Sequence, residues 1–179
     1  MSAPSNYFAT EYLPNGNALV VRAFSPDDRA GLLAAVDRTG PLTRYRRFFV
    51  LKSKFSDREK DFFLNVDFDK HVALIALTNE AGTEVIVGAA RYVVLQAETA
   101  EVALTVIDDY QGQGIGPIML RHLAAVARSA GLKTLVAEVL TENQPMRKVF
   151  ERSGLPMRTT QDHSEVVHIS LQLSGPEGT

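Results

Sequence analysis

The sequence contains no cysteine among its 179 residues. This absence excludes disulfide bonds, a thiolate nucleophile and cysteine-ligated metal sites. Charge is nearly balanced, since 19 lysines and arginines against 21 aspartates and glutamates give a net charge of −2. Bulk electrostatics therefore do not favour nucleic acid or an anionic membrane.

Long apolar runs are also missing, because no stretch approaches the roughly 20 residues that a membrane span needs. The N-terminal stretch has neither the basic segment nor the apolar segment of a signal peptide. We therefore expect a soluble, cytoplasmic protein that binds neither membrane nor nucleic acid.

The length and the 45% hydrophobic content fit a single domain with a full core. Residues 1–17 and 174–179 are rich in Ser, Pro, Gly and Asn, which predicts flexible tails at both ends. The ordered domain is predicted to span 18–173.

Within these limits the hydrophobic periodicity predicts an α/β (α+β) fold with helices flanking a sheet. The predicted strands are Ala18–Phe24, His71–Leu77, Glu84–Leu95, Ala100–Ile107, Leu132–Leu140 and Val166–Leu173. The predicted helices are one that ends near Asp37, then Leu42–Phe49, Asp57–Val66 and Gly116–Ala130, and one that Asn143 caps.

The most informative segment is Asp108–Pro117, DDYQGQGIGP, between a predicted strand and a predicted helix. Its alternate glycines, Gly112, Gly114 and Gly116, let backbone N–H groups turn toward a ligand, and the helix N-terminus adds partial positive charge. This combination predicts a phosphate-binding loop. The alternative is a glycine-rich turn without a ligand.

The spacing rejects two common nucleotide-binding motifs. A Rossmann fingerprint would need glycine or alanine where the chain has Pro117 or Met119. A Walker A loop would need a lysine, and none occurs between Lys70 and Lys133.

The pattern that fits is Gln-x-x-Gly-x-Gly at Gln111, Gly114 and Gly116. It resembles the acyl-CoA pyrophosphate signature of the GNAT superfamily of N-acetyltransferases. The resemblance implies a mixed, mostly antiparallel sheet that splays apart between its fourth and fifth strands, with acetyl-CoA as the acyl donor in the gap.

The same resemblance implies the residues that hold the donor. The backbone of Leu104 and Val106 would bond the pantetheine arm. The N–H groups from Gln111 to Gly116, through Gly112, Gln113, Gly114 and Ile115, would bind the pyrophosphate. Asn143 would bond the cofactor amide, although simple helix capping explains that residue equally well.

Glu101 is the catalytic candidate. It lies in an otherwise apolar predicted strand, AEVALTV, on the face shared with Ala103 and Thr105. A carboxylate there could accept a proton from an attacking amine as a general base. The alternative is an exposed glutamate at a strand edge.

Four segments together look like the acetyltransferase domain of the Pat-type bacterial protein lysine acetyltransferases. They are Arg44–Phe49, Lys70–Leu74, Ala100–Ala103 and Tyr110–Gly116. In that group the glutamate at the position of Glu101 is the proposed base, and the targets include acyl-CoA synthetases. One departure is Phe150, where many GNAT enzymes carry a tyrosine that protonates the leaving thiolate.

Two other features are weaker indications of a functional site. Arg44–Phe49 mixes arginines with aromatics, but helical spacing favours a packed amphipathic helix over a nucleic-acid site. The four histidines have no metal-ligand spacing, so we expect no metal.

Three functions remain open from the sequence. The first is acetyl transfer to a protein lysine, and the second is acetyl transfer to a small amine. The third is a non-catalytic acyl-CoA-binding module. The sequence does not determine the oligomeric state.

Overall fold

The computed structural model describes residues 3–48 and 56–173. The predicted tail at 174–179 and the end of the predicted helix Leu42–Phe49 lie outside the described residues, as do several aromatic and arginine side chains of Arg44–Phe49. None of the described helices is long and apolar enough to cross a bilayer.

In residues 3–48 and 56–173, eight strands form one mixed sheet in the order β1-β2-β3-β4-β5-β6-β8-β7. Their bounds are β1 Phe8–Tyr12, β2 Ala18–Ala23, β3 His71–Glu80, β4 Thr83–Gln96, β5 Thr99–Val106, β6 Thr134–Leu140, β7 Met157–Gln161 and β8 Val166–Gln172. All neighbouring strands are antiparallel except β5 and β6, which are parallel.

Five α-helices of the described chain flank the sheet: α1 Arg29–Asp37, α2 Pro41–Phe48, α3 Asp57–Leu64, α4 Ile115–Ser129 and α5 Gln144–Glu151. Helices α1 and α4 cover opposite faces of β4, since Ile86 faces Gly31 of α1 whereas Gly88 faces Met119 of α4. Buried apolar side chains from both faces form one continuous cluster. The predicted fold class is confirmed.

The sheet opens between β5 and β6. Only Thr99, Ala100 and Glu101 of β5 pair with β6, although β5 continues to Val106. Strand β6 remains paired with β8 from Thr134 to Leu140. These are the fourth and fifth strands of the sequence prediction, because β1 adds one to the count, so the predicted splay is confirmed.

The structure differs from the sequence expectation at the N-terminus, where residues 1–17 were expected to be a flexible tail. Phe8–Tyr12 form β1 and pair along β2. The Glu11 carboxylate accepts hydrogen bonds from Arg121 at 2.6 Å and lies 2.7 Å from Nε2 of His122, both on α4. The expectation is wrong for this segment, because contacts with residues that are distant in the sequence hold it in place.

Within the described part of the chain, one buried side-chain polar atom in the core has no hydrogen-bond partner. Tyr92 on β4 is 0% exposed, and its hydroxyl makes no hydrogen bond within the described residues. Burial raises the pKa of Tyr92 to about 12, so the hydroxyl stays protonated near neutral pH. An unsatisfied buried hydroxyl typically costs about 1–3 kcal/mol.

We predict that Tyr92→Phe raises the free energy of unfolding by about 1 kcal/mol, because it removes this unpaired polar atom with little change in volume. Denaturant titration measures the difference. Tyr12→Phe is the matched control, since that side chain is 71% exposed and its loss of a hydroxyl should change nothing. A less stable Tyr92→Phe variant would contradict the assignment.

Candidate active site

A cleft of about 440 Å³ lies where β5 and β6 diverge. Its walls come from these two strands, the glycine-rich loop and α5. All of the predicted site residues except one line it: Glu101, Leu104, Val106, Gln111, Gly112, Gly114, Ile115, Gly116 and Asn143. The exception is Gln113, whose side-chain amide donates back to the Asp109 carbonyl at 3.4 Å.

One wall is the edge of β5. Residues Val102–Val106 have no strand partner on the β6 side within the described chain. The Val106 carbonyl accepts a hydrogen bond from the Gln111 side-chain amide at 3.0 Å. An open strand edge of this kind can bond an extended ligand through its backbone.

The glycine-rich loop supplies unused donors at the next part of the cleft. Gly112 and Gly114 have φ values of +76° and +87°, which favour glycine. The Gln111 N–H bonds to the Asp108 carbonyl at 3.2 Å, so the Gln111 donor is already used within the chain. The N–H groups of residues 112–116 make no hydrogen bonds within the described residues, and they surround the N-terminus of α4.

Close packing brings α5 beside this loop. A Cβ atom at Gly116 would lie 3.0 Å from Cγ2 of Val149, so the absence of a side chain at Gly116 permits the contact. Lys148 of α5 and Arg152, which follows its last residue, are both exposed and line the cleft. Arg152 was not predicted from the sequence, because a charged residue that lines a cleft and one that faces solvent give the same sequence pattern.

Asp108 ties the loop to the start of α2. Its Oδ2 accepts the Gly40 N–H at 3.1 Å, and its Oδ1 accepts the Thr43 hydroxyl at 2.7 Å. The Gln111 side-chain amide donates to the same Thr43 oxygen at 3.2 Å. These bonds join segments 65 or more residues apart, which is why sequence reasoning did not find them.

A second polar group supports the loop from the other side. Arg38 contacts Glu80 at 2.9 Å and Asp109 at 3.0 Å, and the Tyr110 hydroxyl donates to Glu80 at 2.8 Å. Hydrogen bonds from Arg38 and Tyr110 lower the pKa of Glu80. Burial and the Glu80 carboxylate raise the pKa of Tyr110, so Tyr110 remains a hydrogen-bond donor.

Glu101 is the last β5 residue that pairs with β6, opposite Val136. Its side chain is exposed and lines the cleft. The carboxylate makes no hydrogen bond or ion pair within the described residues. Glu101 is therefore at a strand position that is both solvent-accessible and adjacent to the opening of the sheet.

Two residues near α5 complete the wall. Asn143 is 7% exposed and its Oδ1 accepts the Met146 N–H at 3.2 Å, which is the capping contact that the sequence also suggested. Its Nδ2 group has no hydrogen bond within the described residues. Phe150 is buried beside the cleft and offers no proton.

The mouth of the cleft carries an ion pair that the sequence analysis did not anticipate. Arg46 of α2, which lines the cleft, lies 3.4 Å from Glu142 in the segment before α5. In the described residues, no group of three or more His, Asp or Glu side chains is arranged to hold a metal ion.

The fold and the cleft together define the class of acetyl-CoA-dependent N-acetyltransferases. The chain belongs to the Acetyltransferase (GNAT) family, whose sequence profile matches residues 42–155. The predicted family is thereby confirmed, and acetyl-CoA is the donor that this family uses.

Individual relatives extend this finding. Acetyltransferase PA5475 of Pseudomonas aeruginosa is 31% identical over 160 residues, which cover 88% of this chain and 86% of the relative. Acetyltransferase Pat of Mycolicibacterium smegmatis is 36% identical over 128 residues, 66% of this chain but only 38% of that longer protein. The crystal structure of the GNAT domain of S. lividans PAT has a TM-score of 0.82 and 30% identity, covering 92% of this chain and 96% of that domain.

We predict that Asp108→Ala raises KM for acetyl-CoA about tenfold, equivalent to roughly 1.4 kcal/mol. Without the Asp108 carboxylate, the loop loses its bonds to Gly40 and Thr43 and must be ordered on binding. Steady-state kinetics against donor concentration measure the change.

Asp109→Ala is the matched control. Asp109 lies in the same turn, but its pair with Arg38 is exposed and Arg38 keeps its contact with Glu80 at 2.9 Å. Removal of Asp109 should therefore leave KM within about twofold. Equal KM values for Asp108→Ala and the unmodified protein would refute the role given to Asp108.

Proposed function

We propose that this chain transfers an acetyl group from acetyl-CoA to a lysine amine of a protein, with Glu101 as the general base. The observation that carries the proposal is the alignment of three features along one cleft. They are unused loop N–H groups, an unpaired edge of β5, and a carboxylate where β5 and β6 part.

The described residues offer contacts for two parts of the donor, the pyrophosphate and the pantetheine arm. The N–H groups of residues 112–116 suit the pyrophosphate, where each charge-assisted bond contributes about 1.5–3 kcal/mol. Lys148 and Arg152 add positive charge beside them. The backbone of Leu104 and Val106 suits the pantetheine amides, which would share or displace the bond from Gln111.

When bound, acetyl-CoA supplies an acyl group that is activated as a thioester. In the proposed step the acceptor nitrogen forms a bond to the acyl carbon, and the C–S bond breaks to release a thiolate. Glu101 accepts the proton that the nitrogen loses, directly or through one water. Since Phe150 offers no proton, the thiolate leaves unprotonated or takes a proton from water.

The energetics indicate why a base helps. A lysine amine with a pKa of about 10.4 is neutral in roughly one molecule in 2,500 at pH 7, a penalty of about 4.6 kcal/mol. General-base catalysis typically contributes about 10²- to 10⁴-fold, or about 3–5 kcal/mol. A carboxylate at Glu101 can therefore offset most of that penalty.

The surface around Glu101 favours a macromolecular acceptor. Glu101 shares its face with Glu138 on β6, and the sheet register places His168 and Thr160 beside Glu138. These three neighbours are all exposed. The β6 side of Glu101 is therefore a broad polar surface, and the Pat-type resemblance likewise implies a protein lysine. A small amine remains the second candidate acceptor.

We predict that Glu101→Gln lowers kcat by about 10²- to 10⁴-fold with little change in acetyl-CoA affinity. The substitution removes the proton acceptor but none of the proposed contacts with acetyl-CoA. Turnover is followed as release of free CoA, and affinity by calorimetry. Glu98→Gln is the control, since Glu98 pairs with Lys133 at 2.7 Å and does not line the cleft.

The acceptor is tested with radiolabelled acetyl-CoA, a panel of acyl-CoA synthetases and a panel of small amines. Label on a synthetase lysine would support the protein substrate, whereas label only on small amines would refute it. Full activity of Glu101→Gln would exclude Glu101 as the base and leave an acyl-CoA-binding module or another base to be considered.

A further inference from the structure

A second, smaller cavity lies on the Glu101 face of the sheet, under α1, α2 and α3. We name it the side pocket; its volume is about 70 Å³. Its apolar lining includes Leu32, Val36, Phe63, Ile86, Ala89 and Ile107. Neither the predicted donor contacts nor the proposed base accounts for it.

The side pocket adjoins the cleft directly. Thr43, Ala103 and Thr105 line both cavities. Ala103 follows Glu101 by two residues on the same face of β5, so the boundary lies next to the proposed base. In the proposed step the thioester must lie within reach of that base. The methyl side chain of Ala103 is small, which leaves room for a chain to pass from the cleft into the pocket.

Among the described residues, the two charged side chains that line the side pocket are both cationic. Arg91 is 8% exposed; it donates to the Phe63 carbonyl at 3.1 Å and lies 5.0 Å from the Phe63 ring centroid. Arg44 donates to the carbonyl of Val36 at 3.2 Å, at the end of α1. No acidic side chain of the described residues lines the pocket, so the lining suits an uncharged acyl chain better than a lysine ammonium.

Arg91 also contacts His71, whose ring is neutral. Nε2 of His71 lies 3.1 Å from the Arg91 guanidinium, and Nδ1 lies 3.1 Å from the Asn65 carbonyl. Because guanidinium has only donors, these partners assign the proton to Nδ1. Burial and the Arg91 charge lower the pKa of His71, so the ring stays neutral and accepts from Arg91.

We propose that the side pocket binds the acyl group of donors with a longer acyl group than acetyl-CoA. The protein then accepts propionyl-CoA and butyryl-CoA. This inference rests on the proposed placement of the thioester beside Glu101. The pocket has about half the volume of an apolar cavity of about 150 Å³ that holds benzene. Two added methylene groups are therefore within its capacity, whereas an octanoyl chain is not.

Calorimetric titration without any acceptor tests the proposal with free CoA, acetyl-CoA, propionyl-CoA, butyryl-CoA and octanoyl-CoA. Each methylene buried in the pocket should lower Kd up to about fourfold. We expect butyryl-CoA to bind at least about threefold more tightly than acetyl-CoA, and octanoyl-CoA to lose that gain. A Kd for butyryl-CoA that is equal to or higher than the Kd for acetyl-CoA would overturn the proposal.

Ala89→Leu fills the side pocket without touching the cleft. We expect this variant to lose the preference for butyryl-CoA and to keep Kd for acetyl-CoA within about twofold. Leu33→Phe, from the α1 wall, is a second filling variant in case Ala89→Leu does not fold. Ala9→Leu on β1 is the matched control and should keep the preference.

The outcomes separate this inference from the proposed function. If no thioester binds, the donor assignment itself fails. If acetyl-CoA binds and butyryl-CoA binds no better, only the side-pocket assignment fails. A butyryl preference that survives in both filling variants would place the chain elsewhere and would also overturn the inference.

Turnover provides a second readout once an acceptor is known. The thiol released from each donor can be measured with a thiol reagent, and the absence of cysteine from the chain removes background from the enzyme. We expect kcat/KM for butyryl-CoA to fall about 3- to 16-fold in Ala89→Leu relative to the Ala9→Leu control, because the gain from two buried methylene groups is lost. If kcat/KM for butyryl-CoA is the same in Ala89→Leu and Ala9→Leu, the assignment of the side pocket is contradicted.

Discussion

The loss of pairing between β5 and β6 after Glu101 is the constraint on which the rest of the site depends. A strand edge inside a sheet leaves backbone donors and acceptors that need partners. Here the edge faces a cleft instead of another strand. A ligand with amide groups along an extended chain can supply those partners, and acetyl-CoA, the donor of this family, has such a chain.

The surrounding contacts hold the opening in place. Strand β6 stays fully paired with β8, so β6 itself is fixed while its other edge is open. On the β5 side, Asp108 and Gln111 connect the glycine-rich loop to Thr43 at the start of α2. The loop is therefore ordered by residues far away in sequence, and its N–H groups are oriented before a donor arrives.

The sequence was most informative where local pattern decides structure. The spacing of Gln111, Gly114 and Gly116 identified the family, and strand periodicity placed Glu101 on the face that it occupies. Residues Phe8–Tyr12 were misjudged because pairing with β2 and contacts to α4 order them. Three features depend on long-range packing, which periodicity in one sequence does not encode. They are the hydrogen bonds of Asp108, the Arg46–Glu142 pair and the side pocket.

The central claim is that the open edge of β5 and the glycine-rich loop hold the donor together. Amide hydrogen exchange, measured residue by residue with and without acetyl-CoA, tests it most directly. The account predicts slower exchange in both 102–106 and 112–116 when acetyl-CoA is present. Unchanged exchange in both segments at saturating acetyl-CoA would contradict it.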